Sequence, residues 1–250
     1  RPPMWEPATV ALILGAFFVA GSIKGLIGMG LPVVTLAILA STIGVRETLT
    51  VMLIPGIATN TWQALAGPAF RPLLRRMWGF LAAACLGIWF GTAILAVARS
   101  ETLIALVGVT LTLYSAVALL RIEMPPPGRH EPWMSPLMGG LGGVMFGMAG
   151  NMIVPGILYL HALRLRRDTF VQALGITFVT ITLALGTSLT GRGLMTTDLA
   201  LMSAAALVPT VAGLALGTRY RHHISEARFR KIFLIALVVV GLDMLRRVLI

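Results

Sequence analysis

Two glycine-rich breaks in otherwise apolar sequence hold the residues best suited to chemistry. The first covers residues 25–32 (GLIGMGLP), and the second covers residues 147–155 (GMAGNMIVP). Pro32 suits the first turn of a helix, because its missing N–H would have no intrahelical partner there. Asn151 suits a turn and a helix N-cap. Each break therefore predicts a helix N-terminus, whose free N–H groups and partial positive charge attract an anion such as a sulfonate or a carboxylate.

Polar side chains near the breaks are candidates for further hydrogen-bond donors. Lys24 lies beside the first break, and a charged residue in apolar sequence is a functional candidate by default. The alternative is that the Lys24 ammonium extends to the membrane interface. Amides and hydroxyls in the following helices either donate to an anion or hydrogen-bond across helices. The predicted substrate-binding residues are Lys24, Gly28, Gly30, Pro32, Asn60, Gln63, Gly147, Gly150, Asn151, Gln172 and Thr177.

The acidic residues and the motifs argue against catalysis. Nine acidic residues are present, and all except Asp243 lie at the ends of apolar segments or in loops. Arg246 and Arg247 follow Asp243 at helical spacing, so a local ion pair accounts for that carboxylate. No HExxH, no Gly-x-Ser-x-Gly and no paired intramembrane carboxylates occur. The sequence therefore predicts no catalytic residue, no metal site, no cofactor and no enzyme activity.

The composition places the chain in lipid. Apolar residues make up 57% and charged residues 12%, and the mean hydropathy is +0.91, whereas about a quarter of a soluble domain is charged. The net charge of +11 comes from short loops between apolar runs, as in membrane proteins. No basic helix face or recognition motif indicates a nucleic-acid partner. The single cysteine, Cys85, excludes a disulfide framework.

About ten apolar segments are expected to form helices. Most have about 20 residues, enough to cross hydrocarbon about 30 Å thick. Three have only about 13 and reach roughly 20 Å, which predicts re-entrant or broken helices. The expected segments are 7–27, 32–44, 48–67, 74–98, 102–121, 135–147, 152–163, 169–190, 197–218 and 229–249, and the three short ones are the second, sixth and seventh.

The chain contains an internal repeat. The two glycine-rich breaks match, and Arg46-Glu47-Thr48 is echoed by Arg167-Asp168-Thr169, each time before a long apolar helix. Each half therefore has a Gly-rich broken or re-entrant hairpin followed by three spanning helices. Because three is odd, the second half enters from the opposite face. The sequence predicts an all-α, polytopic transmembrane bundle of two inverted repeats, residues 1–123 and 137–250, joined by a Pro-rich cytoplasmic linker, residues 124–136.

The basic residues predict the orientation. If each hairpin returns to the side where it began, thirteen basic residues fall on one side: Arg71, Arg75, Arg76, Arg121, Arg129, Arg164, Arg166, Arg167, Arg219, Arg221, Arg228, Arg230 and Lys231. Six fall on the other: Arg1, Arg46, Arg99, Arg192, Arg246 and Arg247. The richer side is expected to be cytoplasmic, so both termini are predicted to lie outside the cell (inner) membrane.

The duplicated motif resembles that of the sulfite exporter TauE/SafE family, also called the toluene-sulfonate uptake permease group. Its members carry Gly-x-x-Gly-hydrophobic-Gly-Gly followed by Pro near the start of each half. This chain departs from the pattern at Leu31 and Ala149, where the family commonly has Gly. The resemblance covers nearly the whole chain, and it implies transport of sulfite, organosulfonates or related small anions, by import or by export.

These observations predict a secondary membrane transporter of small anions, most of all sulfite or organosulfonates, with a midplane site at the repeat interface. The alternatives are a transporter of small carboxylates or a passive anion channel of the same architecture. The expected partners are the small anion and the lipid bilayer. A coupling ion, H⁺ or Na⁺, and a homo-oligomer are left open by the sequence.

Overall fold

A computed structural model describes residues 4–223 and 225–249, and these residues form helices and connecting turns with no strand among them. Arg1, which enters the charge count above, lies outside the described residues. Short turns at Gly128–His130, Ile153–Ile157 and Arg221–His223 join some of the helices. The helices are α1 (Pro7–Ile27), α2 (Leu31–Leu39), α3 (Val45–Val51), α4 (Leu53–Leu65), α5 (Phe70–Val97), α6 (Ser100–Leu119), α7 (Glu131–Ala149), α8 (Leu158–Ala162), α9 (Arg167–Gly191), α10 (Thr197–Tyr220) and α11 (Glu226–Leu249).

Five of these helices, α1, α5, α6, α9 and α10, are long and apolar enough to cross a membrane. Large apolar side chains point out of the bundle along them, among them Phe90 at 69% exposed and Val208 at 73%. A protein in water rarely exposes such contiguous apolar surface, whereas lipid chains cover it without cost. The prediction of an all-helical, multi-pass membrane protein is confirmed.

The predicted segments at 135–147 and 48–67 differ from the helices observed, as does the segment at 152–163, in which α8 covers only Leu158–Ala162. The segment predicted at 135–147 is a 19-residue helix, α7, which begins at Glu131. Pro132 lies in the first turn of α7, where a missing N–H is harmless, so the helix starts inside the expected linker. The segment at 48–67 is divided into α3 and α4 at Met52. The N–H of Ile54, just after this division, donates a hydrogen bond to the hydroxyl oxygen of Ser203 at 3.0 Å.

The helices form two compact units. Unit 1 comprises the described residues of Arg1–Pro55, Ala98–Arg121 and Leu194–Ile250, and unit 2 comprises Gly56–Val97 and Ile122–Gly193. Each unit contains helices from both predicted halves. Unit 1 contains α1, α2, α3 and α6 from the first half and α10 and α11 from the second. Unit 2 contains most of α4 and all of α5 from the first half, together with α7, α8 and α9. The division into inverted halves remains a prediction.

Two helix pairs organise unit 1. α1 and α10 run parallel and approach so closely that backbone touches backbone at small residues. α6 and α11 run antiparallel and meet through glycines. The contacting pairs are Gly21 with Thr210 and Gly25 with Leu214 between α1 and α10, and Gly108 with Leu245 and Thr112 with Gly241 between α6 and α11.

Unit 2 repeats the parallel glycine contact with different helices. α5 and α7 run parallel, and α4 and α9 run antiparallel. The contacting pairs are Phe80 with Gly139, Ala84 with Gly143 and Ile88 with Gly147 between α5 and α7, and Gly67 with Gln172, Ala64 with Gly175 and Gly56 with Thr182 between α4 and α9. α1 therefore packs against α10 in the same way as α7 packs against α5, and each pair joins one predicted half to the other.

Candidate functional site

The first break has the geometry that the sequence predicts. α1 ends at Gly28, which has φ of 83° and donates its N–H to the Lys24 carbonyl at 2.8 Å. Gly30, with φ of 117°, is the N-cap of α2, and Pro32 lies in its first turn. Both positive φ angles belong to a region that residues with a Cβ rarely enter, which is why glycine is needed at these two positions. The predicted helix start at Gly30–Pro32 is confirmed.

Lys24 is buried inside the protein. Its side chain is only 5% exposed, and it belongs to the last turn of α1, one residue before the contact of Gly25 with α10. An ammonium that reached to the membrane interface would be exposed, so its burial argues against that alternative. The helix C-terminus beside it carries partial negative charge, which stabilises a cation there. A buried lysine side chain thus lies four residues before the break at Gly28.

The second break does not open a helix at Asn151. Gly150 caps α7 with φ of 64° and donates its N–H to the Phe146 carbonyl at 2.8 Å. After Asn151, which is 5% exposed, the chain is irregular, and Val154 is extended, with φ of −114° and ψ of 121°. The predicted N-cap at Asn151 is therefore wrong. The cause is Pro155, because the ring of a proline pushes the preceding residue out of the helical region.

Gln172 holds α4 and the start of α5 to α9. Its Nε2 donates to the carbonyls of Ala64 at 2.8 Å and Gly67 at 2.6 Å, and its Oε1 accepts from the Ala69 N–H at 3.0 Å. Gln63 reaches back to α9 and donates to the Val171 carbonyl at 2.9 Å. Because both Gln172 donors and its acceptor are engaged, this predicted binding residue has a structural role.

Thr177 is a predicted site residue whose hydroxyl can still donate a hydrogen bond. Its side chain is fully buried on α9, and its hydroxyl has no hydrogen-bond partner within the described residues. Other buried threonines bond the carbonyl one turn earlier in their own helix; Thr92, for example, donates to Ile88 at 2.9 Å and Thr210 to Ala206 at 2.7 Å. A buried hydroxyl that lacks a partner costs about 1–3 kcal/mol. This cost is offset if the hydroxyl donates a hydrogen bond to a bound ligand.

Two further groups lie at the level of Thr177 in unit 2. Asn60, 6% exposed, lies on α4 between the contacts that Gly56 makes with Thr182 and Ala64 makes with Gly175. Phe146, one turn before the cap of α7, packs against Phe178, with the ring centroids 6.2 Å apart. The C-terminal end of α7 and the middle parts of α4 and α9 therefore meet around Thr177.

Gly147 has a packing position. A Cβ atom on Gly147 would lie 2.7 Å from the Ile88 carbonyl and 3.0 Å from the Thr92 nitrogen, so only glycine permits this approach of α5 and α7. Gly150, at the cap, lies one turn further along the chain.

The structure divides the predicted site residues between the units. Unit 1 holds Lys24, Gly28, Gly30 and Pro32, and unit 2 holds Asn60, Gln63, Gly147, Gly150, Asn151, Gln172 and Thr177.

A buried polar cluster on α5 and α9 is not among the predicted site residues. The hydroxyls of Thr92 and Ser188 lie 2.5 Å apart, and Arg192 donates to Thr92 at 3.3 Å and to the Trp89 carbonyl at 2.9 Å. The feature of the sequence that could have indicated this cluster is a small hydroxyl residue, Thr92 or Ser188, in each of two apolar helices. Because these contacts join the end of α9 to α5, the cluster is structural.

Comparison with known proteins identifies the family. A family model described as sulfite exporter TauE/SafE matches residues 13–244, nearly the whole chain. No curated protein and no solved structure matches the chain. The matched region runs from α1 to α11 and includes both glycine-capped breaks. The chain therefore belongs to the sulfite exporter TauE/SafE family of membrane transporters.

Proposed function

We propose that this protein is a secondary transporter of small anions, with sulfite and organosulfonates as its substrates, in the cell inner membrane. The observation that carries the proposal is the pair of matching breaks: α1 ends at Gly28 and α7 ends at Gly150, each with a left-handed glycine cap and buried polar side chains close by. Broken helices at matching positions of two repeats are typical of secondary transporters.

The first break offers positive charge to an anion. The N-terminus of α2 at Gly30 presents free backbone N–H groups, and Lys24 supplies a buried ammonium. A helix N-terminus contributes about 0.3–1 kcal/mol when exposed and up to about 2 when partly buried. Side-chain donors must therefore add to it, at roughly 1.5–3 kcal/mol for each charge-assisted hydrogen bond.

The second break offers neutral donors. No helix begins at Asn151, so the hydrogen-bond donors at the second break come from side chains. We propose Thr177, Asn60 and Asn151 as these donors. Hydroxyl and amide groups bind sulfonate and carboxylate oxygens alike, so a transporter of small carboxylates is the second candidate. A coupling ion and an oligomeric form remain predictions.

A binding screen tests the substrate. The melting temperature of the purified protein is measured with sulfite, taurine, isethionate and small carboxylates, because a bound ligand stabilises the folded state by mass action. We expect sulfite or a sulfonate to give the largest increase. A larger increase with a carboxylate would support the second candidate, and no increase with any of these anions would contradict the proposal.

Counterflow separates a transporter from a passive anion channel. Vesicles loaded with unlabelled substrate should drive transient uphill uptake of labelled substrate through a transporter, whereas a channel only equalises concentrations. In the same vesicles, Lys24→Met should lower anion affinity by about tenfold or more, if the ammonium makes one charge-assisted hydrogen bond. Unchanged affinity would remove Lys24 from the site.

A further inference from the structure

One end of unit 2 collects arginines from three separate stretches of chain. Arg71 and Arg75 lie in the first turns of α5, Arg129 lies just before α7, and Arg164, Arg166 and Arg167 surround the start of α9. All six are exposed. We call this surface, made of these six arginines, the basic end of unit 2.

Hydrogen bonds bring these stretches together. Gln172 of α9 binds the carbonyls of Ala64 and Gly67 and the N–H of Ala69, directly before α5. Arg76 of α5 makes a double hydrogen bond with Glu131 of α7, at 2.6 and 2.8 Å. Arg164 donates to Glu123 at 2.8 Å, which ties the turn before α9 to the chain that follows α6. The starts of α5, α7 and α9 therefore lie at the same end of the unit.

The carboxylates at this end do not neutralise it. Glu131 is paired with Arg76 and Glu123 with Arg164, and Asp168 is the third acidic residue here. With Arg76 included, seven arginines face three carboxylates, which leaves four positive charges in excess. The surface therefore favours a ligand or a neighbour that carries several negative charges.

Tryptophans place the basic end at the edge of the membrane. Trp78 on α5 is 70% exposed, and Trp133 on α7 is 56% exposed. Each lies within about two turns of the start of its helix, close in sequence to the arginines. Exposed tryptophan is enriched where hydrocarbon meets headgroups. α5 and α9 also continue from this end as apolar membrane helices.

We infer that the basic end of unit 2 binds the phosphate headgroups of anionic phospholipids in the bilayer around the protein. Each arginine guanidinium binds phosphate oxygens through paired N–H donors, while the exposed rings contact the glycerol and upper acyl region. The attraction acts on each basic residue near an anionic surface and is screened by salt. This inference does not depend on which anion the protein transports.

The test compares two lipids that have the same acyl chains, one with an anionic headgroup and one with a zwitterionic headgroup. The detergent-solubilised protein is titrated with dioleoyl phosphatidylglycerol or with dioleoyl phosphatidylcholine, and its melting temperature is recorded. We expect phosphatidylglycerol to raise the melting temperature more than phosphatidylcholine, and the difference to disappear in high salt. Equal effects of the two lipids would overturn the inference. Soluble glycerol phosphate should give no increase, and an increase as large as that from phosphatidylglycerol would show a site for free phosphate esters instead.

Matched variants locate the effect. A triple change, Arg71→Gln, Arg75→Gln and Arg166→Gln, should remove more than half of the phosphatidylglycerol-specific increase. The control triple change, Arg99→Gln, Arg246→Gln and Arg247→Gln, removes three exposed charges from unit 1 and should leave the increase unaltered. Equal losses in the two variants would mean that only the net charge matters. If the first variant does not fold, the salt dependence of the unaltered protein still decides whether charge drives the lipid effect. Quenching of tryptophan fluorescence by brominated lipids then tests the position of the site. Equal quenching by brominated phosphatidylglycerol and brominated phosphatidylcholine would refute the site.

Discussion

At the scale of single residues, burial alone does not distinguish a binding residue from a structural one. Gln172 and Thr177 are both buried on α9, at 3% and 0% exposure, and the sequence treats them alike as donors. Their hydrogen bonds separate them, since Gln172 has each of its amide atoms engaged and the Thr177 hydroxyl has no partner in the described structure. Partners from distant parts of the chain decide the role of each residue, and spacing in the sequence cannot reveal them.

Replacement of Thr177 by valine should weaken anion binding and leave the fold intact. Valine has nearly the same shape, and loss of a hydroxyl that lacks a protein partner does not lower stability. The lost hydrogen bond to a charged oxygen should reduce affinity by about ten- to a hundredfold, measured by ligand-induced melting shifts. Thr210→Val is the control, because Thr210 is buried but bonds its own helix. Unchanged affinity in Thr177→Val would remove this hydroxyl from the site.

Replacement of Gln172 by leucine should have the opposite effect. Two carbonyls and one N–H would lose their partner, and at about 1–3 kcal/mol for each of these three groups the fold should lose about 3 kcal/mol or more. A lower melting temperature with unchanged anion affinity is expected. Gln63→Leu removes the bond to the Val171 carbonyl and should also lower the melting temperature. If anion affinity fell while the melting temperature stayed unaltered, Gln172 would bind the anion and would not be a structural residue.

At the scale of helices, the sequence predicts what local chemistry decides. The bounds of α1 at residues 7–27 agree with the prediction, and the glycine cap before Pro32 is where the pattern places it. The same reasoning failed at Asn151, because Pro155 restricts Val154 and delays the next helix to Leu158. The start of α7 lies inside the predicted linker because proline-rich sequence favours a linker, whereas Pro132 is well tolerated in the first turn of a helix.

The two parallel glycine contacts should tolerate no added methyl group. Cβ atoms at Gly21 and Gly143 would collide with the carbonyls of Thr210 and Ala84, and rigid backbones cannot move aside as a flexible side chain does. Gly21→Ala and Gly143→Ala should therefore abolish the monodisperse peak in size-exclusion chromatography. Gly15→Ala is the matched control, with nothing within 4 Å of its added carbon. A normal peak from either contact variant would show that the helices can separate without loss of the fold.

At the scale of the whole molecule, the helix contacts show how the two predicted halves combine. α1 packs parallel to α10 through Gly21 and Gly25 in one unit, and α7 packs parallel to α5 through Gly143 and Gly147 in the other. Neither half therefore buries its small-residue face alone. Composition and charge predict a helical membrane protein, but partners separated by more than a hundred residues could not be predicted from a pattern.

The proposed orientation of the chain is open to a direct test. Thirteen of the basic residues fall on the side proposed to be cytoplasmic and six on the other, and cytoplasmic loops are enriched in arginine and lysine. The helix directions inside each unit agree with the predicted order of crossings, which requires α5 parallel to α7, α1 parallel to α10, and antiparallel directions for the pairs α4 with α9 and α6 with α11. These directions are the same for both orientations of the chain, so the proposed orientation rests on the basic residues. In a Cys85→Ser background, single cysteines at Arg129 and Arg221 should be shielded from a membrane-impermeant thiol reagent applied to intact cells, and a cysteine at Arg99 should react. The first two should become reactive once the membrane is permeabilised. Labelling of Arg129→Cys and Arg221→Cys in intact cells, with protection of Arg99→Cys, would reverse the orientation and place both termini on the cytoplasmic side.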